Sequence, residues 1–200
     1  MELVAPASVS GVADGAATRR RLLDAAAAEF ASFGLAGARV DRIADAAVAN
    51  KAQIYAWFTN KDGLFDAVFA ENLSTVVDLV PFDARDLPGY AVRLYDAYLD
   101  HPEIVLLATW ARLERMPAGD LLAAAAADVD RKVAAIAAAQ REGVVDPLLD
   151  PRDVHTMVIA VSLAWGPSSP TVTASRHDDT ADHERRRDGL ARVVGRAFAP

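Results

Sequence analysis

The chain has 200 residues, 52% of them apolar and 24% charged, a formal net charge of −7 and no cysteine. That length and balance fit one large or two small globular domains and exclude a disordered chain. The lack of cysteine excludes disulfides, thiolate catalysis and Cys-based metal sites, and no run reaches the roughly 18 apolar residues of a membrane span. Met1 to Ala17 has neither a basic leader nor a continuous apolar stretch, so it does not read as a signal peptide, and the expected compartment is the cytoplasm.

Residues 1–17 are small and near-neutral, with Pro6, Gly11 and Gly15, and read as a disordered tail. From Thr18, an N-cap residue, helical spacing of Leu22, Leu23, Ala26, Phe30 and Phe33 predicts a first helix with those side chains in a core, stopped at Gly34. Arg19 to Arg21 fall at its start, the poorer end for cations by the helix dipole, which suits a nearby phosphate.

Val40, Ile43 and Ala44 mark one face of a short second helix, and Ile54 and Phe58, four apart, mark a third. Only Ala47 to Asn50 separate the two. Asn50 is placed to cap the third helix by accepting from the amides of Ala52 or Gln53. That helix then turns Lys51, Ala52, Gln53, Tyr55 and Trp57 outward, a set suited to nucleic acid, with Gln reading base edges and Lys and Tyr holding phosphates. Charge is divided to match. Residues 18–62 carry a net +2, residues 63–200 a net −7, and the tail −2. An acidic body disfavours its own collapse onto a duplex.

A fourth helix runs from about Lys61 to Leu79, before the break from Pro81 to Pro88. The rest reads as five more helices: Pro88 to Asp100, Pro102 to about Met116, a long alanine-rich one from Asp120 to Glu142 ended by Gly143, Arg152 to Trp165, and His183 to Phe198. The segment 152–165 is apolar nearly all round, which predicts cover on several sides, and Gly166 to Asp182 is a polar loop. The last helix places Leu190, Val193, Val194 and Ala197 on one face. No strand signal and no repeat appear. The expected fold is all-α, about nine helices, with a headpiece at 18–63 and a larger helical body at 64–200.

From Thr18 to about Leu73 the chain resembles the DNA-binding domain of TetR-type (tetracycline-repressor-like) transcriptional regulators. The resemblance is carried by the first helix RRRLLDAAAAEFASFG, the pair Ile43–Ala44, the pair Ile54–Tyr55, Phe58, and the entry Lys61–Asp62–Gly63–Leu64–Phe65 to the fourth helix. Two positions depart from the family pattern. Val48 stands where the family has Gly in the turn, and a β-branched residue resists positive φ. Asn50 stands where Ser or Thr caps the recognition helix, and Asn caps as well.

The resemblance implies a three-helix helix-turn-helix headpiece that binds a double-stranded DNA operator, with Arg39, Asn50, Lys51, Ala52, Gln53, Tyr55, Trp57 and Lys61 as its DNA-binding residues. It also implies a homodimer through the two C-terminal helices, 152–165 and 183–198. The residues agree independently, because an amphipathic terminal helix beside one apolar all round leaves a stripe to be covered. A small-molecule effector is implied in the body. The candidate pocket residues are Tyr95, Tyr98, Trp110, Leu113, Met116, Met157, Val161 and Trp165, a set suited to an apolar or aromatic ligand; Arg112 and His155 are the polar candidates beside them, but read better as a surface arginine and a satisfied core histidine.

No cofactor or metal is expected. The four histidines lack metal-type spacing, and HExxH, glycine-rich phosphate loops and Gly-x-Ser-x-Gly are missing, so an enzyme is disfavoured. The cluster from His177 to Glu184 reads as a solvated loop. The alternative to a ligand-responsive repressor is a helical interaction module that has lost DNA binding, a reading to which Val48 and the modest local charge of +2 contribute.

Overall fold

A computed structural model describes residues 9–200, and the side chains of all of these except 9–14, 76–78 and 124. Its helices are α1 (Val9–Gly37), α2 (Val40–Ala46), α3 (Lys51–Phe58), α4 (Lys61–Leu79), α5 (Leu87–Asp100), α6 (Pro102–Glu114), α7 (Ala126–Arg141), α8 (Pro151–Ser162) and α9 (Thr180–Ala197), with a short 3-10 turn at Ala123–Ala125. No strand occurs among the described residues. The chain divides into two compact units at Phe69–Ala70, inside α4. The first turns of α4 belong with the first unit because Leu64, Phe65 and Val68 are buried and Phe65 meets Phe30 edge-to-face at 5.1 Å.

In the first unit, α1 begins well before Thr18. Residues 9–17, expected as a disordered tail, continue the helix; residues 1–8 of that tail lie outside the described residues. Thr18 is therefore no cap. It is buried and its Oγ1 accepts from Arg21 Nη2 at 2.9 Å. The early start also moves Arg19–Arg21 into the helix interior, where they serve the fold: Arg19 lies 5.4 Å over the Phe58 ring, Arg20 pairs with Asp24 at 2.9 Å, and Arg21 donates to the Ala47 carbonyl at 3.2 Å.

Gly34 ends the regular run of α1, as expected: at φ 67, ψ −178 it breaks the helix in a region essentially closed to other residues, and one short turn follows to Gly37. That break leaves Phe33 half exposed instead of in the core, with the Arg42 guanidinium 4.3 Å over its ring. Leu22, Leu23, Ala26 and Phe30 are buried as expected. Beneath α2, the buried Glu29 carboxylate accepts from the Arg39 amide at 2.8 Å and Arg42 Nε at 2.7 Å. Burial alone would raise this carboxyl, but the bonds from Arg42 and Arg39 outweigh it and hold its pKa below the ordinary value.

The α2–α3 turn is closed by Val48 N–H to the Asp45 carbonyl at 3.1 Å and Ala49 N–H to the Ala44 carbonyl at 3.0 Å. This is the bonding of a Schellman motif, whose left-handed position favours glycine. Val48 occupies it at φ 50 with 84% of its surface exposed, so the valine contributes almost no burial in return for its backbone strain.

In the second unit α5 is central, packed against α6, α8 and α9. Tyr90, Leu94 and Tyr95 of α5 meet Val154 and Val158 of α8, Leu190 and Val194 of α9, and Ile136 of α7 in one core. Asp86 starts α5 by accepting from Gly89 N–H at 2.8 Å, so close that a Cβ on Gly89 would lie 2.0 Å from the carboxylate.

Three expectations about the body need correction. The long alanine-rich helix begins at Ala126, not Asp120, because Asp120 Oδ1 accepts from Leu122 N–H at 2.8 Å and bends the chain into a turn. Helix α8 ends at Ser162 rather than Trp165. Within this unit Val154, His155, Val158 and Ser162 of α8 are buried while Met157 is exposed. On α9 the buried stripe is His183, Arg186, Leu190 and Val194; Val193 and Ala197, expected beside Leu190, face outward.

His155 is 4% exposed, and its Nε2 has no hydrogen-bond partner among the described residues. Phe82 lies 6.4 Å away, edge to face. Burial first, and the Lys132 charge second, push its pKa down to about 4.

Two measurements check these readings. Val48→Gly raises stability to urea by about 0.5–1 kcal/mol, since relief of left-handed strain exceeds the extra chain entropy glycine brings; a loss of stability would show that the valine side chain is held by contacts the turn needs. For His155, the unfolded chain takes up the proton between pH 6.5 and 4 and the native chain does not. Stability on the order of 3 kcal/mol is therefore present above pH 6.5 and lost as pH falls toward 4. The melting temperature of His155→Phe should fall less steeply over that range; identical profiles would mean that the native imidazole titrates normally.

Candidate functional site

Helix α3 has eight residues, too few to persist without anchors. Ile54 and Phe58 supply them, buried in the first unit. At its start a reciprocal capping box forms: Asn50 Oδ1 accepts from Ala52 N–H at 2.8 Å, and Gln53 Oε1 accepts from Asn50 N–H at 3.0 Å. At its end Thr59 adopts φ 67, ψ −49, with Asn60 N–H bonded to the Phe58 carbonyl at 2.7 Å, the geometry of a γ-turn. Asn60 then caps α4 by accepting from Gly63 N–H at 2.8 Å. A Cβ at Gly63 would stand 2.2 Å from the Phe58 oxygen, so only glycine fits the corner between α3 and α4.

The structure brings most of the expected DNA-facing residues together on this helix. Asn50, Lys51, Ala52, Gln53, Tyr55 and Trp57 are all exposed, and Trp57 meets the buried Phe58 edge-on at 6.4 Å. Arg39 is exposed at the N-cap of α2. Lys61 is placed differently: its Nζ donates to the Ala36 and Ala38 carbonyls at 3.3 and 3.2 Å, satisfying the end of α1. Two of the outward groups already have partners within the chain. Lys51 Nζ sits 2.8 Å from Asp41 Oδ1, a bond that raises the ammonium pKa, and Gln53 Oε1 belongs to the capping box. Asp41 carries no sequence signal for this role, because pairing across a helix-turn-helix follows neither the i,i+3 nor the i,i+4 spacing of a single helix.

The second unit holds a cavity of about 560 Å³ whose wall includes Tyr95, Tyr98, Leu99, Trp165 and Ala174. Tyr95 and Trp165 meet edge-to-face at 6.0 Å. The Tyr95 hydroxyl is tied to His183 Nδ1 at 2.8 Å, and the buried Arg186 bonds Asp178 at 2.6 Å. Burial raises the Tyr98 phenol well above its ordinary pKa, so it stays neutral. At the wall's edge Arg176 pairs with Asp100 at 2.5 Å.

Of the eight expected pocket residues, Tyr95, Tyr98 and Trp165 line this cavity and the others do not. Val161 packs on the core, Trp110 is partly buried on α6, and Leu113, Met116 and Met157 are exposed. The aromatic and methionine pattern is shared by cavity walls and by uncovered helix faces, so it does not separate them. Arg112 donates to the Met116 and Gly119 carbonyls at 3.0 and 2.9 Å and finishes α6. Missed by the sequence were Ser162 of α8 and the loop segment from Thr173 to His177, which also line the cavity. No group of three or more His, Cys, Asp or Glu residues able to hold a metal occurs among the described residues.

Residues 22–68 match the family model described as bacterial regulatory proteins, tetR family, and residues 86–196 match the tetracyclin repressor-like C-terminal domain. The chain is 38% identical over 150 residues to the HTH-type transcriptional repressor SCO4008 of Streptomyces coelicolor, covering 74% of this chain and 78% of that protein. It is 28% identical over 170 residues to the HTH-type transcriptional regulator RutR of Escherichia coli K12, covering 79% and 78%. The structure of SCO4942 from Streptomyces coelicolor is similar with a TM-score of 0.75 at 33% identity, over 90% of this chain and 98% of that one. With a helix-turn-helix in the first unit, an all-α second unit following it in the chain, and both halves matched in order, the chain belongs to the TetR family of bacterial transcriptional regulators and is a DNA-binding protein, not an enzyme.

Proposed function

We propose that this regulator is a homodimeric repressor that holds a palindromic operator through α3 and is released by a small apolar or aromatic effector bound in the body. The observation that carries the reading is the outward face of α3, where Lys51, Gln53, Tyr55 and Trp57 stand exposed while Ile54 and Phe58 are buried. Gln53 has an amide for base edges, and Lys51 and Tyr55 suit phosphates. Two copies of α3 reach successive major grooves when they stand about 34–36 Å apart, and a twofold dimer provides that pair. Met157 on α8 and Val193 on α9, two helices that pack together, expose the apolar side chains such a dimer covers. The name of the Streptomyces coelicolor relative, a repressor, supports repression.

The cavity of about 560 Å³ has the size of a small-molecule site, and its aromatic wall suits a ligand of modest size. For release, the ligand must favour the form that does not hold DNA; a coupling of about 1–3 kcal/mol weakens operator binding some 5- to 150-fold.

A gel shift with the DNA flanking its own coding region tests the reading. Two chains are expected per bound duplex, and Gln53→Ala should lose about 1–3 kcal/mol on the operator with little loss on random DNA; equal loss on both would remove Gln53 from base readout. A thermal-shift screen of small apolar and aromatic compounds tests the effector site. A compound that raises the melting temperature of the native chain should no longer do so for Ala174→Phe, which fills the cavity and retains DNA binding. Undiminished stabilisation of that variant would place the effector elsewhere.

A further inference from the structure

The cation at the head of α3 is not held ready for DNA. Lys51 Nζ lies 2.8 Å from Asp41 Oδ1, and this bond, with the charge of Asp41, is what raises the ammonium pKa. Asp41 sits in the first turn of α2, where the helix dipole favours its negative charge. Both side chains are well exposed, so in free protein the pair adds little to stability. Its importance lies at the interface. If Lys51 meets a phosphate, it must leave a carboxylate that already satisfies it, and that carboxylate then stands within the same few ångströms of a polyanion.

Resting on the reading that α3 enters the groove, we infer that Asp41 is an intramolecular competitor for Lys51 that sets the general DNA affinity of this protein. Asp41 occupies the place a phosphate would take and weakens binding to every duplex sequence, specific or not. Readout by Gln53 is left to separate the operator from the rest. A regulator among very many non-specific sites gains from that arrangement, because trapping on random DNA is governed by the electrostatic contribution that Asp41 lowers. Asp45, exposed one turn further along α2 and not bonded to Lys51, offers an internal control of equal charge.

The test is a double-mutant cycle on the full chain, with binding to a random-sequence 30-base-pair duplex followed by fluorescence anisotropy at low salt. Asp41→Asn is expected to tighten binding about five- to tenfold when Lys51 is present and only about twofold in the Lys51→Gln background. Asp45→Asn should give the same small factor in both. Coupling of this sign arises only if Asp41 and the duplex compete for the Lys51 ammonium. Equal factors for Asp41→Asn in the two backgrounds would overturn the proposal and leave a plain charge effect. Should Asp41→Asn alter the helical circular dichroism, Asp41→Ser repeats the cycle under the same criterion. Failure of the unmodified chain to bind any duplex is a separate outcome, which sinks the placement of α3 in DNA and this proposal with it.

Discussion

Two buried side chains, Ile54 at 0% and Phe58 at 6% exposure, fasten α3 to the first unit, and everything assigned to its other face follows from them. An eight-residue helix has no stability of its own to spare. Burying residues four apart fixes its rotation about its axis, so Lys51, Gln53, Tyr55 and Trp57 have no option but to face away. Arg19 stacked on the Phe58 ring and Arg21 bonded to the Ala47 carbonyl brace the same corner from α1. Cations that read as phosphate partners thus hold α3 in place.

Backbone strain gathers at both ends of that helix. Val48 before it and Thr59 after it are the two non-glycine residues with positive φ among the described residues. Each sits where a tight turn must begin or finish within a few residues, and Gly63 lies where the α3–α4 corner leaves no room for a Cβ. Short connections of this kind restrict how far α3 shifts without the rest of its unit.

The sequence revealed the elements whose evidence is local. The Asn50 cap, the anchors Ile54 and Phe58, the boundary at Pro102 and the tension between Val48 and its turn are all readable within a few residues, and each appears in the structure. What was not legible depends on partners far along the chain. Lys61 looked like a phosphate ligand, but the carbonyls it satisfies belong to residues 36 and 38. Asp41 carries no local signal, and only the fold brings Lys51 of α3 beside it. Of the residues with the composition of a pocket, Tyr95, Tyr98 and Trp165 line the cavity in the second unit, while Leu113, Met116 and Met157 are exposed, a difference that composition alone does not carry.

The central claim is that the outward face of α3 meets the duplex. Hydroxyl-radical footprinting read by mass spectrometry tests it directly, because Tyr55 and Trp57 are exposed and oxidise readily, while Met116 in the second unit provides an exposed reference. Saturating duplex should protect Tyr55 and Trp57 and leave Met116 unchanged; full oxidation of both aromatics in the bound state would contradict the account.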